Sequence, residues 1–166
     1  STTEKLRIYH GGGITFNGDT AAANALDDYE EGTWTPSLIG SSSNPSINYN
    51  TQAGGYEKIG SLVHASFFMN VGSVNSQGSG QLRIGGLPYT SFGTIIASEV
   101  PGVLAQSEPF NDGKGANRDQ FVRTSGQNYL LVGYRDLTSA NAPIPTNAAA
   151  NVGTGYFIGH ITYRAV

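Results

Sequence analysis

Three histidines and one run of acidic residues are the side chains in this sequence best suited to catalysis or metal binding. His10, His64 and His160 are separated by dozens of residues, and the last two fall in strand-like patterns. A catalytic triad or a three-histidine zinc site can still assemble in space, because geometry rather than chain order defines such sites. The simpler interpretation is that they are strand-face histidines with ordinary hydrogen bonds, and we predict no metal site.

The acidic run consists of Asp27, Asp28, Glu30 and Glu31. Such oxygen ligands can hold Ca²⁺, and paired carboxylates can hydrolyse glycosidic bonds. Hydrolytic carboxylates, however, face each other across a groove about 5–9 Å wide, which residues adjacent in sequence seldom do. We therefore predict a solvated acidic turn that joins a leading segment to the main domain.

The usual catalytic motifs are missing from this sequence. It contains no G-x-S-x-G elbow, no G-x-G-x-x-G fingerprint, no phosphate-binding G-x-x-x-x-G-K-[ST] loop and no cysteine. These absences argue against the corresponding serine hydrolases, dinucleotide enzymes and nucleotide hydrolases, and against thiolate chemistry. We predict a protein that is not an enzyme and has no cofactor.

A polar stretch from Pro109 to Gln120 is the strongest candidate for a binding loop, since binding groups concentrate on loops of rigid β scaffolds. Its predicted ligand-binding residues are Phe110, Asp112, Lys114, Asn117, Arg118 and Asp119. The polar side chains can hydrogen-bond a sugar, and Phe110 offers a stacking face. A loop without a ligand remains the alternative. The less charged stretch from Asp136 to Asn151 is interpreted as a rim or a subunit contact.

The elements that would position these groups are short β-strands. Glycine supplies 23 residues, and each interior glycine costs a helix ~1 kcal/mol, so only Thr20 to Leu26 could form a turn or two of helix. Period-two alternation recurs, clearest where Val63, Ala65, Phe67 and Met69 share one face. We predict eight to ten strands in an all-β sandwich or jelly roll. Trp34 suits either its core or a ligand-stacking position.

Length and charge narrow the classes of partner. The chain has 166 residues, net charge −3 and a pI near 5.5. That balance disfavours nucleic-acid binding, and no stretch approaches the ~20 apolar residues that cross a bilayer. We expect one domain plus an appendage, and Ser1 in place of a methionine suggests a piece of a longer chain.

The appendage is the leading segment, residues 1–35, before a head at residues 36–166. Its core-forming side chains in the first strands are few: Leu6, Ile8, Ile14 and Phe16. Two short strands cannot exclude water from both faces. Either the main domain covers them, or identical copies do so around a symmetry axis. We predict that these four residues are trimer contacts.

Three strings resemble a known family: LDDYEEGTWTP at Leu26–Pro36, GYEKIG at Gly55–Gly60 and IGGLPY at Ile84–Tyr89. They are similar to the tip domains at the C-terminal ends of bacteriophage tail fibres and tailspikes, with related tips in fibres of predatory bacteria. The opening strands, Thr3–Ile8 and Gly13–Phe16, resemble the repeated strands of trimeric fibre shafts, and Tyr156–Tyr163 is similar to the last strand of such heads. Residues 91–155 match no part of the family, which fits a variable receptor-reading region.

The resemblance implies a parallel homotrimer with a β-sandwich head, extracellular and attached to a host or prey surface through a polysaccharide or glycoprotein. It carries over no individual ligand-binding residue. Two other functions stay open: a structural cap that closes the trimer without a receptor site, and a polysaccharide-degrading or fibre-processing enzyme. Glycan binding, host-capsule cleavage and intact mass distinguish them.

Overall fold

The computed structural model describes residues 4–10, 12–21, 25–26, 28–93, 100–107, 118–136 and 152–166, with the backbone alone for residues 106–107, 118–120 and 134–136. These ranges contain eleven β-strands. Within them no helix is long and apolar enough to cross a membrane. The strands are β1 (Leu6–Ile8), β2 (Ile14–Phe16), β3 (Tyr29–Trp34), β4 (Ser37–Gly40), β5 (Ser46–Ile59), β6 (Leu62–Ser76), β7 (Leu82–Gly85), β8 (Pro101–Ser107), β9 (Arg118–Arg123), β10 (Tyr129–Asp136) and β11 (Gly155–Arg164).

Nine of these strands form one antiparallel sheet that curls onto itself. Its order is β3-β5-β6-β11-β8-β9-β10-β7-β4, so a flat version would separate the edge strands by roughly 38 Å. Only Thr35 and Pro36 join those two edges, and such a link spans at most about 11 Å. Curling brings the edges together, and β5 side chains bridge the gap: Leu38 N donates to the Tyr49 hydroxyl at 2.8 Å, and Gln52 donates to the Pro36 carbonyl at 2.8 Å.

The curled sheet encloses a hydrophobic core. Alternate residues of the long central strands point inward, and the other half of the sheet faces them. The main contributors are Val63, Ala65, Phe67, Met69 and Val71 of β6, Phe157, Ile161 and Tyr163 of β11, and Leu82, Ile84, Val122, Leu130 and Val132 of β7, β9 and β10. The outer face of the central strands β5, β6 and β11 carries exposed or half-buried side chains and is open to solvent or partners.

The sequence prediction of an all-β fold is confirmed, as is the inward face predicted for β6. Trp34 is a core residue: it is 8% exposed and packs edge-on against Phe67, with ring centroids 6.1 Å apart. No helical turn is found in the described part of Thr20–Leu26, where Leu26 forms an isolated bridge to Ile14. The described strands also exceed the eight to ten expected.

The predicted leading segment contributes to both sheets. β1 and β2 form a separate hairpin, whereas β3 pairs along its whole length with β5 in the larger sheet. In the hairpin, Leu6 lies opposite Phe16 and Ile8 lies opposite Ile14. These four side chains therefore share one surface, the hairpin face, because cross-strand partners point the same way.

Two adjacent glycines of β5 lie on opposite faces of the sheet and predict opposite responses to substitution. A Cβ at Gly54 would lie 2.5 Å from Trp34 Nε1, inside the core. We expect Gly54→Val to lower the free energy of unfolding by about 1–3 kcal/mol through overpacking. Chemical denaturation measures this, and an unchanged midpoint would show that the Trp34 ring can move aside. A Cβ at Gly55 meets nothing nearer than Ser66 Oγ at 3.7 Å.

Candidate functional site

The predicted ligand loop lies mostly outside the described residues, which omit Phe110, Asp112, Lys114 and Asn117. The other two predicted residues begin β9, where Arg118 pairs with Asp136 and Asp119 pairs with Arg135. This register is a backbone pairing, and the role of both residues in ligand binding stays a prediction. The second predicted loop also falls mainly outside the described residues.

A shallow groove crosses the outer face of β5, β6, β11 and β8. Two neighbouring cross-strand rows form it: Ala53, Phe68, Ile158 and Ala105 in one, and Gly55, Ser66, His160 and Val103 in the other. The groove encloses about 710 Å³. Val103 is 54% exposed and Ile158 46% exposed, so the groove presents apolar surface to solvent.

Small residues line part of the groove on both sides of Phe68 and Ile158. Ala53, Gly55 and Ser66 lie on one side, and Ala105 lies on the other. Phe68 lies between these flanks, and its ring stacks on that of Tyr156 with centroids 6.1 Å apart at an interplanar angle of 28°. Because these side chains are short, space for a ligand remains above the sheet beside the Phe68–Tyr156 pair.

Two of the three histidines meet in this groove. Antiparallel pairing sets Thr162 opposite His64 and His160 opposite Ser66, which brings the two imidazole centroids to 5.6 Å. His64 Nδ1 and Thr162 Oγ1 are hydrogen-bonded at 2.9 Å. His10 lies beside the separate hairpin, and among the described residues no three His, Asp or Glu side chains are grouped to hold a metal ion.

The groove continues into a polar shelf on β3 and β5. This second depression, of about 480 Å³, shares Gly55, His64 and Ser66 with the groove and adds Glu31, Thr33 and Glu57. Glu31 and Glu57 are direct cross-strand partners, an arrangement that destabilises a sheet when both carboxylates are charged. Tyr29 donates a hydrogen bond to Glu31 Oε2 at 2.8 Å. Apolar and hydrogen-bonding surfaces therefore lie side by side.

Phe68, Ile158 and Val103 were not among the predicted binding residues. The sequence nevertheless contained a pattern that indicates two of them. Phe67–Phe68 and Phe157–Ile158 are adjacent apolar residues in strands that otherwise place polar side chains on the outer face. Apolar residues on the solvent face of an antiparallel sheet indicate contact with something other than water. Their assembly into one groove depended on the register of four strands.

The three strings that carry the family resemblance converge in one network near the end of β5. Lys58 Nζ pairs with Asp28 and donates to Glu30 Oε1 at 2.9 Å. Tyr89 donates from its hydroxyl to Glu30 Oε2 at 2.6 Å, and its ring packs edge-on against Tyr56. The expected solvated acidic turn is therefore wrong in part: Glu30 and Glu31 lie in a strand, and two of the acids pair with a buried lysine.

This network predicts a stability that depends on pH. Hydrogen bonds from Tyr89 and Lys58 hold the pKa of Glu30 below its ordinary value of 4.5. A lowered pKa in the folded state contributes stability above the unfolded value, and this is lost as pH falls through the folded value. The melting temperature of the wild type should therefore exceed that of Glu30→Gln most near neutral pH, and the gap should shrink as pH falls through the lowered pKa of Glu30. A gap that stays constant with pH would contradict the assignment.

Comparison with known proteins supports the fold. Neither the protein-family models nor the curated proteins contain a match to this chain. Among solved structures, the chain is similar to the crystal structure of Dettilon tailspike protein (gp208), with a TM-score of 0.55, 19% sequence identity and 82% of this chain covered. The match spans 24% of the tailspike chain. The chain therefore has a tailspike-like all-β fold.

Proposed function

We propose that this chain is the tip of a homotrimeric extracellular fibre, on a virion tail or a cell surface, that attaches to a host or prey glycan. The glycan belongs to a surface polysaccharide or a glycoprotein, and it binds in the groove and polar shelf of the sheet's outer face. The groove is the single observation that carries this proposal. The tailspike-like fold supports it, because a fold of this kind occurs within a tailspike protein.

Carbohydrates combine apolar ring faces with hydroxyl groups, and this site offers a complement to both. Phe68 and Ile158 form the apolar floor. Glu31, Glu57 and His64 of the adjoining shelf provide hydrogen-bond acceptors and donors. An open groove also accepts an internal stretch of a long polymer, whereas an enclosed cavity accepts only its end.

The hairpin face supports trimeric assembly. Leu6, Ile8 and Phe16 are 52%, 72% and 55% exposed, while Thr15 on the other face is buried. A hairpin that turns its apolar side outward needs a partner to cover it, and copies of the same hairpin offer matching surfaces. Three copies also multiply weak contacts, since avidity can exceed the affinity of one site by roughly 10²–10⁴.

The test is binding of the intact protein to an array of purified bacterial surface polysaccharides, together with a reducing-end assay on each polymer it binds. We expect at least one polysaccharide to be retained and left uncleaved. Retention of none would favour the structural-cap alternative.

Cleavage would favour the enzymatic alternative, for which the Glu31–Glu57 pair beside the groove is the specific observation. Glu57→Gln would then abolish cleavage. If the protein only binds, the same variant should leave the polymer length distribution unchanged.

A further inference from the structure

Two arginines share a row on the outer face of the other half of the sheet. Arg83 of β7 and Arg123 of β9 are both cross-strand partners of Leu131 in β10, which lies between them. Their sequence neighbours Ile84 and Val122 point into the core, so alternation directs the arginines outward. Two strand spacings separate their backbones by roughly 9.6 Å, and long side chains can reach one bound group from both sides.

Arg83 is held in place by an aromatic ring. Its Cζ lies 4.2 Å from the centroid of the Tyr129 ring, a cation–π distance. Stacking fixes the plane of a guanidinium group and leaves the N–H groups along its edge for a ligand in that plane. Arg83 Nε is shielded from solvent and has no hydrogen-bond acceptor among the described residues. A shielded donor without an acceptor is costly, so an acceptor is expected there.

The positive charge of Arg83 favours an anionic acceptor. None of the ion pairs found within the described residues includes Arg83. Leu131, between the two arginines, is 8% exposed yet does not belong to the main core cluster. A covered apolar base lowers the effective dielectric constant around nearby charges and strengthens their attraction for an anion.

We propose that Arg83 and Arg123 form a second binding site, which takes an oxyanion carried by the polysaccharide. The assignment of a polysaccharide as the ligand rests on the proposed function. The arginine site adds that this polysaccharide is acidic. The site adjoins the groove, since Pro101 is the cross-strand partner of Arg123 and Val103, two residues later, lines the groove. A carboxylate fits the arginine edge bidentately, whereas a sulfate or phosphate is tetrahedral. All three share the chemistry that this site recognises.

The test measures retention of the full chain on immobilised polygalacturonate, dextran sulfate, a phosphate-bearing polysaccharide and neutral dextran. We expect salt-sensitive retention on at least one anionic polymer. The polymer retained most strongly shows whether the site prefers a carboxylate, a sulfate or a phosphate. The double variant Arg83→Gln, Arg123→Gln should bind about tenfold to a hundredfold more weakly, because charge-assisted hydrogen bonds are lost. The double variant Lys5→Gln, Arg7→Gln removes two positive charges at the hairpin, outside the proposed site, and serves as the matched control.

A chemical measurement on the wild type covers the case in which the double variant fails to fold. Phenylglyoxal modifies accessible arginines, and peptide mass analysis should show that the retained polymer protects Arg83 and Arg123 while Arg7 keeps reacting. Equal retention of variant and wild type, or no protection, would overturn the site. If the arginines bind anions but no surface polysaccharide is retained on the array, the proposed function fails while the anion site stands.

Discussion

Phe16→Asp is expected to convert an assembled trimer of this protein into monomers. Phe16 is 55% exposed in one copy, so burial of the rest of its side chain stabilises by about 0.8–1.7 kcal/mol. Three copies then lose roughly 2.5–5 kcal/mol, a factor of about 70 to 5,000 in the assembly constant. An aspartate that cannot be desolvated adds to the loss. Light scattering at micromolar concentration should give about three times 17.4 kDa for the wild type and 17.4 kDa for the variant.

The matched control is Thr20→Asp, which introduces the same charge at an exposed position beyond the hairpin. It should remain trimeric. The curled sheet has its own core, so the far-ultraviolet circular dichroism of Phe16→Asp should stay that of a β protein. A trimer of unchanged thermal stability would show that the hairpin face is not a subunit contact. A wild-type protein that is itself a monomer would remove the trimer from the proposed function.

Gly55→Leu is expected to abolish glycan attachment without unfolding the protein. Gly55 has ordinary backbone geometry with no positive φ, and space surrounds the position of its Cβ. A leucine there would project into both the groove and the polar shelf, where it would occupy the volume that a sugar needs. Retention on the polysaccharide bound by the wild type should fall at least tenfold, a change of about 1.4 kcal/mol, as measured by surface plasmon resonance.

Thr51→Leu is the control for this experiment. Thr51 is exposed and pairs with Asn70, one cross-strand row beyond Ala53 and Phe68, so the same side chain is added to the same strand outside the groove. We expect binding to persist. If Gly55→Leu bound as tightly as the wild type, with an unchanged melting temperature, the ligand would bind elsewhere. The loop at Pro109–Gln120 would then be the next surface to replace.

The Gly54 and Gly55 substitutions also test the division between the two faces of the sheet. The inner face of Gly54 lies against the Trp34 ring, whose Nε1 donates to the carbonyl of Ser66 at 3.0 Å. The outer face of Gly55 is open to solvent or a ligand. Adjacent residues of one strand thus separate stability from binding, because successive side chains of a strand point to opposite faces.

The class of secondary structure and much of the core follow from local sequence patterns alone. Frequent glycine excluded long helices, and alternation identified Val63, Ala65, Phe67 and Met69 as one buried face. These features could be predicted because they depend on near neighbours in the chain. The apolar face of the leading strands could be predicted for the same reason. Leu6, Ile8, Ile14 and Phe16 share a face through the pairing of two strands that are close in the chain.

Contacts between residues distant in the chain depend on how the strands pair in the folded sheet. The groove joins β5, β6, β8 and β11, and the arginine row joins β7 to β9 through β10. His64 and His160 approach because of one cross-strand register, and a shift by a single residue would have sent one of them into the core. The Lys58 network likewise unites three strings that are far apart in the chain. Local patterns specify which face of a strand is apolar, but the pairing of strands distant in sequence depends on the packing energy of the whole sheet.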